Sequence, residues 1–250
     1  MAGFTIDSVL YGPYGREEFF KHKYDIIKSL LTSTVLVALA GVTLPHMVHI
    51  AEKTDTDDVS RAMFIGIISA CIVYYGHCLP TTGAVLPNVE YPGAACSYFL
   101  RGRIGLPLMY AYVAAGFLGS FVAAALTHTL GWPVVVPAFT ESMSTLACIQ
   151  VIHTGVFAFV AMKDPPLACA AVSFLLVAGS YLKWKLWCFN AYVYFAAGYA
   201  SAFGGNVTVF ATPVPGTWII LIYADIIGWV TALLIDAILY RVLKKKPKVD

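Results

Sequence analysis

His46 and His49 lie three residues apart, so on a helix both imidazoles share one face, with His77 and the acids of the 52–58 stretch within reach of the same end. That is a metal-binding geometry in outline. Pro45 precedes the pair, the pair closes an apolar run, and no sharper ligand set follows, so the histidines read as interfacial and no metal or cofactor is expected. His128 and His153 stand alone in apolar runs and read as pore or packing contacts. The six cysteines (71, 78, 96, 148, 169 and 188) contain no C-x-x-C pair and read as small buried side chains. Asp225 and Asp236 fall inside the last apolar run, where a charge is costly and faces protein or water. Asp236 lies five residues from Arg241 and reaches toward the interface. For Asp225 a polar contact to a neighbouring subunit is favoured over a pore-side place.

Elements able to hold such groups must be membrane helices. Of the 250 residues 59% are hydrophobic and 12% charged, with a mean hydropathy of +0.76. A soluble domain has no use for that much apolar surface, whereas a spanning helix needs about 20 largely apolar residues and satisfies its own backbone. Apolar runs fall at about 27–49, 61–79, 105–130, 139–161, 165–182 and 216–241. A net charge of +2 gives no case for nucleic acid. Residues 1–26 mix acids with bases and lack the form of a secretory signal or transit peptide, and 242–250 form a second polar terminus. Six spans put both termini on one side, together with twelve lysines and arginines against four opposite (Lys53, Arg61, Lys183 and Lys185). The positive-inside rule then expects both termini inside, in cytoplasm or matrix.

Two further apolar stretches, about 83–100 and 188–204, are too broken by Gly, Pro and polar residues to cross alone. Each follows the second span of a three-span half. The chain thus reads as one membrane domain of two inverted repeats, about 27–130 and 139–241, each with a re-entrant half-helix buried in protein or lining a cavity. Gly116-x-x-x-Ser120 and Gly228-x-x-x-Ala232 offer close backbone approach between spans. Asn206-Val207-Thr208 is a glycosylation sequon that localises nothing by itself.

This organisation and several local strings resemble the aquaporin (major intrinsic protein) family. Thr82-Gly83-Ala84-Val85-Leu86-Pro87-Asn88, then Phe99-Leu100-Arg101-Gly102-Arg103-Ile104, looks like the family's S-G-A-x-L-N-P-A and F-L-x-G-R-I stretches, with the Asn-Pro order inverted. A rival frame starts at Tyr91-Pro92-Gly93, twelve residues before Arg103, the usual family spacing. Phe189-Asn190-Ala191-Tyr192-Val193-Tyr194-Phe195-Ala196 can be laid on M-N-P-A-R-S-F-G, and a competing frame starts at Gly198. Glu141-Ser142-Met143-Ser144-Thr145 matches the string opening the fourth helix, while Leu30 and Thr34 stand where the first helix would carry its glutamate.

The resemblance implies an all-α membrane fold of six spans and two re-entrant half-helices whose N-termini meet at mid-membrane and disfavour cations. Asn88 and Asn190 would cap those N-termini and donate to a passing solute. The filter arginine is replaced by Val193, or by Ser201 in the competing frame. The other filter positions fall near Ile68 and Ala178, giving an apolar constriction. Glu141 would accept hydrogen bonds from a re-entrant loop. Two functions follow. One is a passive channel for water or a small neutral solute such as glycerol, ammonia or peroxide, as a homotetramer in the lipid bilayer. The other is a non-conducting structural subunit of a larger membrane complex. The missing arginine and the aromatic residues near the motifs (Tyr91, Tyr192 and Tyr194) favour the second.

Overall fold

The computed structural model describes residues 5–78, 91–136, 142–163, 166–187, 189–202, 207–209 and 217–244. Two short helices, α1 (Ile6–Tyr11) and α2 (Gly15–Lys21), precede the first span, so the N-terminal stretch that reads as a polar tail has helical structure. Thr5 and Ser8 start α1 with a reciprocal capping box. Its end is clamped beneath the third span: a Cβ on Gly105 would lie 2.5 Å from the Leu10 carbonyl carbon and 2.9 Å from the Tyr11 nitrogen.

Among the described residues six helices are long and apolar enough to cross a membrane: α3 (Lys23–Lys53), α4 (Asp58–Cys78), α6 (Leu106–Leu130), α7 (Met143–Ala161), α8 (Pro166–Trp184) and α10 (Thr217–Lys244). Two shorter ones, α5 (Pro92–Leu100) and α9 (Ala191–Ala202), occupy the two broken stretches. The fold is the expected all-α arrangement of six spans and two half-helices. α3 overshoots its apolar run at both ends, because Lys23, Tyr24 and Lys53 can keep polar tips in water while their stems stay on the helix. α6 ends at Gly131, whose φ of +63° makes the left-handed cap that returns its N–H to Thr127 and His128.

The pairings obey the inverted repeat. α3 lies along α6 as α7 lies along α10, and α4 and α8 pair with each other across the repeat. Half-helix α5 packs on α10 and α6, half-helix α9 on α6 and α10. The spans touch through their smallest residues. A Cβ on Gly119 would meet the Val37 Cβ at 2.8 Å, and one on Gly228 would meet Gly155 N and Val151 O at 2.9 Å, with Thr154 Oγ1 closer still. The two small-residue motifs do different jobs. Gly228 brings α10 against α7, whereas Gly116 lies under the Tyr192 ring of α9 and Ser120 Oγ donates to the Tyr192 carbonyl at 2.8 Å. Among the described residues the only strands are a parallel pair of three residues each, β1 (Val134–Val136) and β2 (Val207–Val209).

The cysteines do not share one environment. Cys169 is buried and Cys96 half-buried, but Cys71 and Cys148 lie on the outer surface of their spans. A small apolar thiol is as well placed against lipid as against protein, so an apolar run does not tell the two apart. Apart from Asp225, the charged residues of the described spans lie toward the helix ends. Lys163 at the end of α7 pairs with Asp236 of α10, which accounts for that acid. On the face opposite the termini, Asp58 meets Lys185 at 2.7 Å and Arg61 at 3.6 Å, and Arg61 lies 3.8 Å from Glu52. Pairs of this kind at the rim of the bundle contribute little each, so the fold rests on packing. Gly228→Val is therefore expected to destabilise the protein by about 1–3 kcal/mol through overpacking, or to stop it folding. Gly198→Ala, with nothing within 4 Å of where the added methyl would sit, should fold normally and raise the unfolding temperature in detergent slightly, since alanine is favoured over glycine inside a helix by about 0.5–1 kcal/mol.

Candidate pore

The two half-helices start in different ways. In α9, Asn190 Oδ1 accepts from the Tyr192 N–H at 2.9 Å and the Asn190 carbonyl accepts from Tyr194 N at 3.0 Å, so Asn190 is the cap and Ala191 the first helical residue. Gly198 lies within this helix rather than at its start. In α5, the helix begins at Pro92, a proline suited to the first helical position, and Tyr91 holds the cap place without a side-chain cap bond. This is the Tyr91-Pro92-Gly93 frame. Asn88 and Pro87 lie outside the described residues, as do Glu141 and Asn206. Ser142 caps α7, accepting from Thr145 N at 3.2 Å.

Asp225 lies neither in a subunit contact nor on a pore wall: it is fully buried within the protomer, and its Oδ2 accepts from Gly93 N of α5 at 2.8 Å. The sequence places a carboxylate in the sixth span, but a partner that is a main-chain amide, 132 residues away, leaves no mark in side-chain types.

A cavity of about 80 Å³ lies where the half-helices start, with Tyr91 and Asn190 in its wall. α3, α4, α7 and α8 supply most of the remaining wall, and among the described residues no Asp, Glu, Lys or Arg lines it. Since a water needs roughly 10–15 Å³ of such space, the cavity has room for a short file of waters or one small solute. Its polar groups are few. Ser69 and Ser173 bridge α4 and α8 with their hydroxyl oxygens 2.9 Å apart. His153 of α7 sits with Nδ1 3.4 Å from Ser180 Oγ and its ring edge-on to Phe189 at 4.3 Å. Leu36, Val37, Ile72, Leu176, Val177 and Val193 make much of the apolar remainder.

Between this cavity and the face opposite the termini, described side chains pack into an apolar cluster. Leu44, Val48, Tyr181, Leu186, Trp187 and Val193 are all buried and belong to one apolar cluster. Trp187, 1% exposed, also lines the cavity, and with Leu44, Val177 and Val193 it forms the boundary between open space and packed core. Of the expected filter positions, Val193 and Ala178 are in this cluster and Ile68 packs against it. Val193 lines the cavity, but Ile68 and Ala178 do not. Their neighbours Ser69 and Val177 line it. One residue is about 100° of helix turn, which spacing counted along a chain cannot resolve. Trp187 is not legible as a boundary residue, since a Lys-Trp-Lys-Leu-Trp segment reads equally well as an interfacial anchor.

The histidines of the 46/49 pair have contacts of their own. His46 Nδ1 lies 3.1 Å from the Pro133 carbonyl and its ring stacks on Trp132 at 4.7 Å. Among the described residues no three His, Cys, Asp or Glu side chains come together. His128 is exposed at the end of α6 and is no part of the cavity wall.

No family model matches the chain, and no curated protein does. Among solved structures, the X-ray structure of the aquaglyceroporin from Plasmodium falciparum superposes with a TM-score of 0.66 at 12% identity, over 88% of this chain and 99% of that one. The likeness extends over both repeats at an identity where only the backbone arrangement is shared, and the fold of this chain is aquaporin-like.

In that fold the Asn190 oxygen secures the start of a half-helix inside the bundle. Asn190→Ala is expected to cost about 1–2 kcal/mol and to lower the unfolding temperature in detergent by several degrees. Asn190→Asp, which keeps an acceptor oxygen there, should lose less.

Proposed function

We propose that the chain is a passive membrane channel for a small uncharged solute, with water, glycerol, ammonia and peroxide as the candidate class. The observation that carries this reading is the cavity at the junction of the half-helices, walled by Asn190, Ser69, Ser173 and His153 and, among the described residues, by no Asp, Glu, Lys or Arg. Such a wall exchanges hydrogen bonds with a neutral solute but cannot repay the dehydration of an ion. The two converging helix N-termini add positive potential that disfavours cations. Val193, in place of a fixed cation, gives the passage no fork of donors to select water strictly. We further propose a homotetramer with one pore per protomer, and both termini inside, on the charge asymmetry of twelve against four.

A second reading has its own support. The apolar cluster around Trp187 and Tyr181 fills the half of the bundle that a solute would have to cross, as expected of a non-conducting subunit of a larger membrane complex.

Stopped-flow light scattering on liposomes decides between them. Vesicles holding the protein, challenged with impermeant sugar or with glycerol, are expected to change volume several-fold faster than empty vesicles. Trp187→Leu, which shrinks the ring at the boundary, should raise that rate further. Rates equal to those of empty vesicles for both proteins, each shown to be folded, would sink the channel and leave the structural subunit.

A further inference from the structure

The pseudo-two-fold axis relates Gly119 of α6 to Gly228 of α10, since each is the glycine at which one span touches its partner in the same repeat. Three residues earlier, Gly116 and Asp225 therefore occupy equivalent places. Each faces the second residue of a half-helix, Tyr192 of α9 and Gly93 of α5 respectively. Side-chain size is exchanged between the two sites. In the second repeat a large Tyr192 lies on a glycine, and in the first a glycine at 93 receives the large Asp225. A Cβ on Gly93 would sit 2.8 Å from the Asp225 carbonyl oxygen and 2.7 Å from Trp229, so no bulkier residue fits there.

The main-chain N–H at this second position is an orphan donor of the helix start and must be satisfied inside the bundle. In α9 it is satisfied from two residues upstream, by Asn190 Oδ1 at 2.9 Å. In α5 the residue two upstream is Tyr91, which makes no side-chain cap bond, and the N–H goes to Asp225 Oδ2 at 2.8 Å from another span. Asp225 is 0% exposed, and its other oxygen has no partner among the described residues. The bond to Gly93 is thus the one polar contact that the described structure gives this carboxyl group.

We propose that Asp225 is a positioning residue: it caps the first half-helix in trans where Asn190 caps the second in cis, and thereby releases position 91 to place a tyrosine on the cavity wall. Tyr91 leans on Phe157 and Trp229 with ring centroids 5.1 Å and 6.2 Å away, so the ring is held from behind while it lines the cavity. The trans cap is independent of whether the protein conducts; the role of Tyr91 as the group a solute meets rests on the channel reading.

The test is amide hydrogen exchange across residues 91–100, in nanodiscs, for the wild type, Asp225→Asn, Asp225→Leu and the double variant Tyr91→Asn with Asp225→Leu. Asp225→Leu should speed exchange there roughly tenfold, the size expected when a buried cap is lost. Asp225→Asn keeps an acceptor and should stay near wild type. The double variant restores a cap two residues upstream and should recover most of the protection. If Asp225→Leu does not fold, recovery of a folded protein by the double variant is the same result. Unchanged exchange in Asp225→Leu, or a double variant no better than Asp225→Leu, overturns the trans cap. In liposomes the double variant should pass solute faster than wild type, its wall lacking the tyrosine ring. Empty-vesicle rates throughout would overturn the channel while leaving the exchange result to stand.

Discussion

Every main-chain N–H and C=O placed at mid-membrane must find its partner within the protein, and the two half-helices are where this constraint is hardest to meet. A full span satisfies itself except at ends that reach water. A half-helix has one end in the dry centre of the bundle, with its first amides pointing at whatever lies there. The remaining architecture serves that requirement. The spans pair through glycines so that their backbones approach closely, and the close approach lets α6 and α10 reach the half-helix starts with Ser120 and Asp225. Ser120 serves a carbonyl of α9, and Asp225 serves an amide of α5.

The two repeats solve this one problem with different chemistry, and that difference sets what is legible in the sequence. Six apolar runs and two broken ones follow from lipid as a solvent, and the charge asymmetry follows from insertion. Those features depend on composition over tens of residues, and the spans lie where the runs are. Asn190 is legible because its cap is local: the acceptor and the amide it serves are two residues apart. The start of α5 is harder, because its cap comes from 132 residues away and leaves no trace beside Tyr91. An asparagine near the expected place, Asn88, competes for the same role there. Pro92 is the informative residue, since a proline followed by small residues marks a first helical turn.

The wall of the cavity is legible by element but not by residue. Counting along α4 and α8 reaches Ile68 and Ala178, while the helices turn Ser69 and Val177 to the cavity. Helix rotation is set by which side chains fit between neighbours. Here Gly66 of α4 takes Phe174 and Ala178 of α8 against it, at 2.9 Å and 3.1 Å from where its Cβ would be. That contact turns Ala178 toward α4 and away from the open space. A packing preference of this kind is invisible to spacing.

The absence of a fixed cation beside the second half-helix has a packing counterpart. A guanidinium buried there would need several acceptors to offset its desolvation, and apolar side chains of similar volume are commonly as stable or more so. On the channel reading proposed above Val193 stands in the place of that charge, and Trp187, Tyr181 and Leu186 pack with it in one apolar cluster. The Tyr181 hydroxyl reaches Glu52, and Glu52 lies 3.8 Å from Arg61, so the ring is tied at its polar end to the network on the face opposite the termini. Selectivity in such a passage cannot come from a charged ring of donors. In the channel proposed above it would come from whether the apolar cluster parts at all, and a solute that crossed would have to be small, neutral and able to leave its hydrogen bonds behind.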